Sequence, residues 1–86
     1  MEKVLFVGAE KRETKDKSKT YYMVYAGHII NENNGIGASP MSFKVSYDKY
    51  KELVNAMDIG TEFEIEYEFA YDANGRPKFI LMNYKI

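Results

Sequence analysis

The chain has 86 residues, enough for one domain with a single modest core and too few for two. It contains no cysteine and one histidine, which excludes a disulfide framework and any thiolate metal site and leaves only carboxylates as plausible metal ligands. Its formal net charge is −1, and no stretch approaches the ~18 apolar residues of a membrane span or the pattern of a signal peptide, so the expectation is a cytoplasmic protein with no membrane partner.

Residues 2–12 open with the apolar run Val4-Leu5-Phe6-Val7, followed by Gly8 and a charged tail. Apolar side chains at consecutive positions predict a strand covered from both sides. A glycine within it predicts a bend or bulge where one strand serves two sheets. Residues 13–19 are polar and lysine-rich, and they read as a mobile hairpin loop.

Residues 19–30 alternate with period two. Tyr22, Val24 and Ala26 suit a small core, and Tyr21, Met23 and Tyr25 then share the opposite face. Alternation alone does not fix which face points inward, and a methionine such as Met23 serves equally as a gap-filler in a core. Residues 31–40 are rich in Asn, Gly, Ser and Pro and read as a loop. Their glycines lack the Gly-Lys-Ser/Thr ending and the following helix of a phosphate-binding loop. In residues 41–47, Met41, Phe43, Val45 and Tyr47 alternate with Ser42, Lys44 and Ser46, which predicts a third strand.

One helix follows, over residues 47–57. Ser46 is its N-cap, Asp48 lies in its first turn, and Tyr50, Leu53, Val54 and Met57 recur at helical spacing, with Gly60 as the stop. Residues 61–72 alternate most cleanly of all: Phe63, Ile65, Tyr67, Phe69 and Tyr71 against Glu62, Glu64, Glu66 and Glu68. Four glutamates on one face repel phosphate and discourage edge pairing, so that face belongs to solvent. Asn74-Gly75 predicts a type I′ hairpin turn. The last strand places Ile80, Met82, Tyr84 and Ile86 on one face, and Phe79, Leu81, Asn83 and Lys85 on the other.

The order strand–strand–strand–helix–strand–strand is that of an OB-fold, a five-stranded Greek-key barrel, here with one helix between strands 3 and 4 and a single domain over residues 1–86. A half-open α+β sheet shares the same order.

The sequence offers no catalytic constellation. His28 is alone, the serines lack a nucleophile-elbow context, and the glutamate row has no His or Lys partner, so neither an enzyme nor a cofactor is expected. Charge distribution says more than its sum. Lys11, Arg12, Lys15, Lys17 and Lys19 cluster before strand 2, Arg76, Lys78 and Lys85 lie near the end, and the acids concentrate between Glu62 and Asp72. Such segregation steers a polyanion to one side.

Single-stranded nucleic acid is held by cations along its backbone and aromatic faces under its bases. An OB-fold presents both on strands 2 and 3, flanked by the loops after strands 1 and 4. The positions that answer are Tyr21, Met23 and Tyr25 on strand 2 and Lys44 on strand 3. Lys15, Lys17 and Lys19 supply the first loop, and Arg76, Lys78 and Phe79 the last hairpin. The expected ligand is single-stranded DNA, with RNA left open. The competing reading is a β-barrel adaptor whose exposed Phe79–Leu81 pair and glutamate face make protein contacts, with Phe79 and Leu81 as a dimer surface.

With its lysine-rich hairpin and Ser18-Lys19-Thr20-Tyr21-Tyr22 entering strand 2, the chain resembles the small helix-destabilising, single-stranded-DNA-binding proteins of bacteriophages. The filamentous-phage type has a comparable Gly-Lys-Pro-Tyr entry. The resemblance implies an OB-fold homodimer that coats single strands during DNA replication with little sequence preference, in the host cell cytoplasm. Lys19, Tyr21 and Phe79 would then be binding positions. This chain departs from that group by its clear helix and its acidic isoelectric point.

Overall fold

A computed structural model describes all residues, Met1–Ile86. Five strands, β1 (Glu2–Glu13), β2 (Thr20–Ile29), β3 (Ala38–Val45), β4 (Glu62–Tyr71) and β5 (Pro77–Lys85), close into a barrel in the order β1-β2-β3-β5-β4. One helix, α1 (Tyr47–Ala56), lies between β3 and β4. This is the OB-like barrel the element order predicts.

Closure depends on the bend in β1. Its first half pairs with β4 (Glu2↔Ile65 to Leu5↔Glu62), while the strand as a whole pairs with β2 from Val4↔His28 to Glu13↔Thr20. The register slips between Phe6 and Gly8, so Val7 is an extra residue. A bulge of this kind re-aims everything after it: Val4 and Phe6 point inward before it, and Ala9 does so after it. Val7 is turned out and is 53% exposed. The apolar run is therefore not covered from two sides. Its consecutive apolar residues mark a bulge inside an alternating strand.

A second slip, between Glu66 and Tyr67 on β4, places Tyr67 opposite Leu81 and Glu66 opposite Asn83, so Met82 is the extra residue of β5. Leu81 points inward before it and Tyr84 after it. Leu81 is only 6% exposed. The expected outward Phe79–Leu81 face does not exist, and Tyr84 does not share a face with Ile80 and Met82.

The core is built from alternate residues of all five strands, with Val4, Val24, Phe43 and Ile65 among the most deeply buried. Leu53 and Met57 of α1 join the same cluster. Leu53 is fully enclosed, and burying a leucine contributes about 1.5–3 kcal/mol. Ser46 caps the helix, its Oγ accepting from the Lys49 N–H at 3.2 Å. The helix ends at Ala56, earlier than Gly60, because Met57 adopts an extended backbone that swings its side chain into the core. Gly60, with φ of 90°, instead turns the chain toward β4, and its N–H donates to the Phe6 carbonyl at 2.7 Å.

Candidate nucleic-acid interface

In an antiparallel sheet, residues directly opposite each other share a face. Tyr21, Met23 and Tyr25 are opposite Arg12, Glu10 and Gly8 on β1. Met23 and Tyr25 are also opposite Lys44 and Ser42 on β3. All of these therefore lie on the outer surface of the β1–β2–β3 sheet. The inner surface takes Val24 and Ala26, which are buried, as expected. Tyr22 shares that inward register but is only half-buried. Its ring packs on helix α1 instead, with centroids 4.9 Å from Tyr50 and 5.2 Å from Tyr47.

On the outer face, Tyr21, Met23 and Tyr25 are all half-buried. The Lys44 ammonium sits over the Tyr21 ring, 5.5 Å from its centroid. Arg12 stands beside the same rings. Its pKa is raised further above the ordinary arginine value, first by Tyr21 and then by Glu10 and Tyr25. Glu10 forms an ion pair with Arg12, its Oε1 lying 3.2 Å from the Arg12 Nε. Two cations thus flank two tyrosine rings on one surface. Arg12 is the member that sequence reasoning missed. It was counted in a charge run, and only the register across the hairpin, set by the bulge at Val7, pairs it with Tyr21.

The loop after β1 is a compact turn. The Thr14 N–H donates to the Lys19 carbonyl and the Lys17 N–H to the Thr14 carbonyl. Asp16 holds its centre, one carboxylate oxygen accepting from the Thr14 hydroxyl at 2.6 Å, the Ser18 hydroxyl at 2.7 Å and the Ser18 N–H at 3.0 Å. Those hydrogen bonds, the Thr14 hydroxyl first, lower its pKa to about 2. Lys17 takes a left-handed backbone, φ 58°, and Lys15, Lys17 and Lys19 all remain exposed. The segment expected to be a mobile loop is internally tied, and it offers three lysines at the end of the β1–β2 arm.

The β4–β5 hairpin lies at the other end of β3. Only Phe43↔Phe79 pairs β3 with β5, in parallel, so the residues before Phe79 extend toward the beginning of β3, away from the lysine turn. The predicted cationic and aromatic positions therefore divide into a central group (Tyr21, Met23, Tyr25, Lys44), which Arg12 joins, and two terminal groups. Phe79 is half-buried among Tyr67, Phe69 and Phe43, with ring centroids 5.4, 5.7 and 6.2 Å away. Lys78 pairs with Ala70 and so faces the opposite side from Phe79. Arg76 lies at the turn, where its N–H and that of Asn74 both donate to an Asp72 carboxylate oxygen at 2.9 Å. The turn is not type I′. Gly75 alone has positive φ, and the Asp72 N–H to Arg76 carbonyl bond closes a three-residue loop, a type I turn with glycine in the left-handed position.

Glu62, Glu66 and Glu68 are exposed along β4, which has β1 and β5 as neighbours and does not pair with β2 or β3. Lys3 and Lys85 pair with the fourth, Glu64. His28 Nε2 lies 3.3 Å from Glu2 at the opposite end of β2 from Tyr21. No three His, Asp or Glu side chains gather as a metal site, and no helix is long and apolar enough to cross a membrane. The fold and this surface define a small OB-like barrel with an aromatic, cationic outer face. No protein-family model, curated protein or solved structure matches the chain.

Proposed function

We propose that this protein binds single-stranded DNA with little sequence preference, in the manner of a helix-destabilising protein of a phage or mobile element. Bases stack on Tyr21 and Tyr25, and phosphates are held by Arg12, Lys44 and the lysines of the first turn. The observation that carries the reading is the pairing of two half-buried tyrosines with two cations on the outer β1–β2–β3 face. Neither half alone would suffice. Stacking supplies about 1–3 kcal/mol per base and is indifferent to sequence because every base has a π-face, while the cations supply attraction to the backbone. The acidic row on β4 favours binding on the β2–β3 side by repelling the strand elsewhere.

The adaptor reading rested on an exposed Phe79–Leu81 pair and on the glutamate face; burial of Leu81 removes the first, while Glu62, Glu66 and Glu68 stay exposed. A homodimer remains part of the proposal through the resemblance to phage proteins, but the central group draws on one chain only. The deciding experiment replaces Tyr21 and Tyr25 with alanine and measures oligothymidine affinity and thermal unfolding together. Weaker binding with an unchanged fold is the expected result. Unchanged binding would remove the proposal.

A further inference from the structure

Phe69 holds the inward register of β4, yet it is 54% exposed. The cause is topological. β1 pairs with β4 only as far as Ile65, so the inner face of β4 outruns the strand that would cover it. An open hollow forms where β1 begins, bounded by Met1, Glu2, Ile65, Glu66, Tyr67 and Phe69. Four of these are apolar, two are glutamates, and no basic side chain lines it. Glu68, next to Phe69, is exposed as well, and Glu2 has His28 Nε2 as a neighbour at 3.3 Å. Ring faces are electron-rich, so rings and carboxylates here attract the same thing, a cation, and phosphate is repelled. A lysine side chain fits best: its methylenes lie against the rings while its ammonium meets the acids.

The chain carries that chemistry at its other end. Lys15, Lys17 and Lys19 are exposed on the turn after β1. The one acid among them, Asp16, has a carboxylate oxygen held within the turn by Thr14 and Ser18. The same bonds order the turn in advance, so little further freedom is lost when it docks. From Thr20 beside the turn to His28 beside Glu2, β2 runs roughly 25 Å at about 3.3 Å per residue, so turn and hollow do not meet within one chain. We infer that the lysine turn of one copy docks in the Tyr67–Phe69 hollow of another. Unlike surfaces meet, one copy supplying the turn and the other the hollow. The contact goes beyond the single-strand reading and does not depend on it.

The test follows self-association of the nucleic-acid-free protein by sedimentation at low and moderate salt. The mass should exceed that of the monomer at high protein concentration and fall as salt rises, because exposed charges are screened beyond about 10 Å at 0.1 M. Glu66→Lys should weaken association about tenfold or more, Lys15→Glu/Lys19→Glu likewise, and Phe69→Ala roughly two- to fivefold. All four side chains are exposed, so the thermal midpoint should barely move. The decisive arm mixes the two charge-reversed proteins. One brings an intact turn and the other an intact hollow, so the mixture should associate at close to the unmodified strength. A monomer at every concentration would overturn the inference, as would variants that associate like the parent or a mixture no stronger than its components. Any of those results leaves oligothymidine binding to be judged on Tyr21 and Tyr25, so the two readings fall separately.

Discussion

The Lys44 ammonium occupies one face of the Tyr21 ring, 5.5 Å from its centre. At an exposed site such a contact contributes about 0.5–1 kcal/mol, less than a stacked base. A base arriving on Tyr21 can therefore displace the ammonium, which then meets a phosphate instead. Lys44→Ala is expected to weaken single-strand binding across all sequences and to reduce the dependence of log affinity on log salt by roughly 0.7, the share of one neutralised phosphate on a single strand. Arg12→Ala should do the same. Affinity measured at several salt concentrations checks both, and an unchanged slope in both variants would show that neither cation meets the backbone.

Gly27 should not tolerate a side chain. A Cβ built there would sit 2.9 Å from the Ala38 Cβ on the neighbouring strand, closer than real Cβ contacts allow, and the neighbour is too short to swing aside. Gly27→Ala is expected to destabilise the barrel by about 1–3 kcal/mol through forced separation of β2 and β3. Denaturant midpoints compare the two proteins. Gly27→Ala/Ala38→Gly should recover part of the loss.

Acid should leave the first turn intact well below the ordinary aspartate range. The Asp16 pKa is lowered to about 2 in the folded chain from a usual value of 3.8. Because the folded value is depressed, the stabilisation is fully present above pH 3.8 and is lost as pH falls toward 2. The Ser18 amide resonance should titrate with a midpoint near 2, and Asp16→Asn should abolish that titration while leaving the remainder of the spectrum in place.

Tyr84 gives the opposite sign at the alkaline end. Burial pushes its phenol up to about 12, and the Glu52 carboxylate adds to the shift. The raised folded value means that its contribution is complete below the ordinary tyrosine pKa of 10.0 and declines as pH rises through about 12. In an absorbance titration, one of the eight tyrosines should ionise late. Glu52→Gln should bring it back toward its ordinary value.

The element order, the capped helix and the division of β2 into two faces were legible because each follows from a local rule: period two, period 3.6 and a serine before the first turn. What was not legible turns on two extra residues. Val7 and Met82 each reverse the alternation after them, so Tyr84 read as sharing a face with Ile80 and Met82 although it turns inward; Leu81, before the slip, read as exposed because parity does not say which face of β5 is core. Phe69 and Tyr71 have the opposite history. Their parity was read correctly, but parity does not reveal that the hairpin outruns the strands that would cover it. In the candidate site, alternation put Tyr21 and Tyr25 on one face of β2 without saying which way it points, and the cross-strand register shows that face to be the outer one, shared with Lys44 and Arg12.

Tyrosine emission tests the central claim most directly, since the chain has no tryptophan to mask it. Oligothymidine and a duplex of equal length are titrated into the protein at low and moderate salt. Single-strand binding on the β2 face predicts quenching by the oligothymidine, reversed by salt, weaker with the duplex and reduced in Tyr21→Ala/Tyr25→Ala. Emission unchanged by either ligand at low salt, with no complex detected by anisotropy of a labelled oligomer, would contradict it.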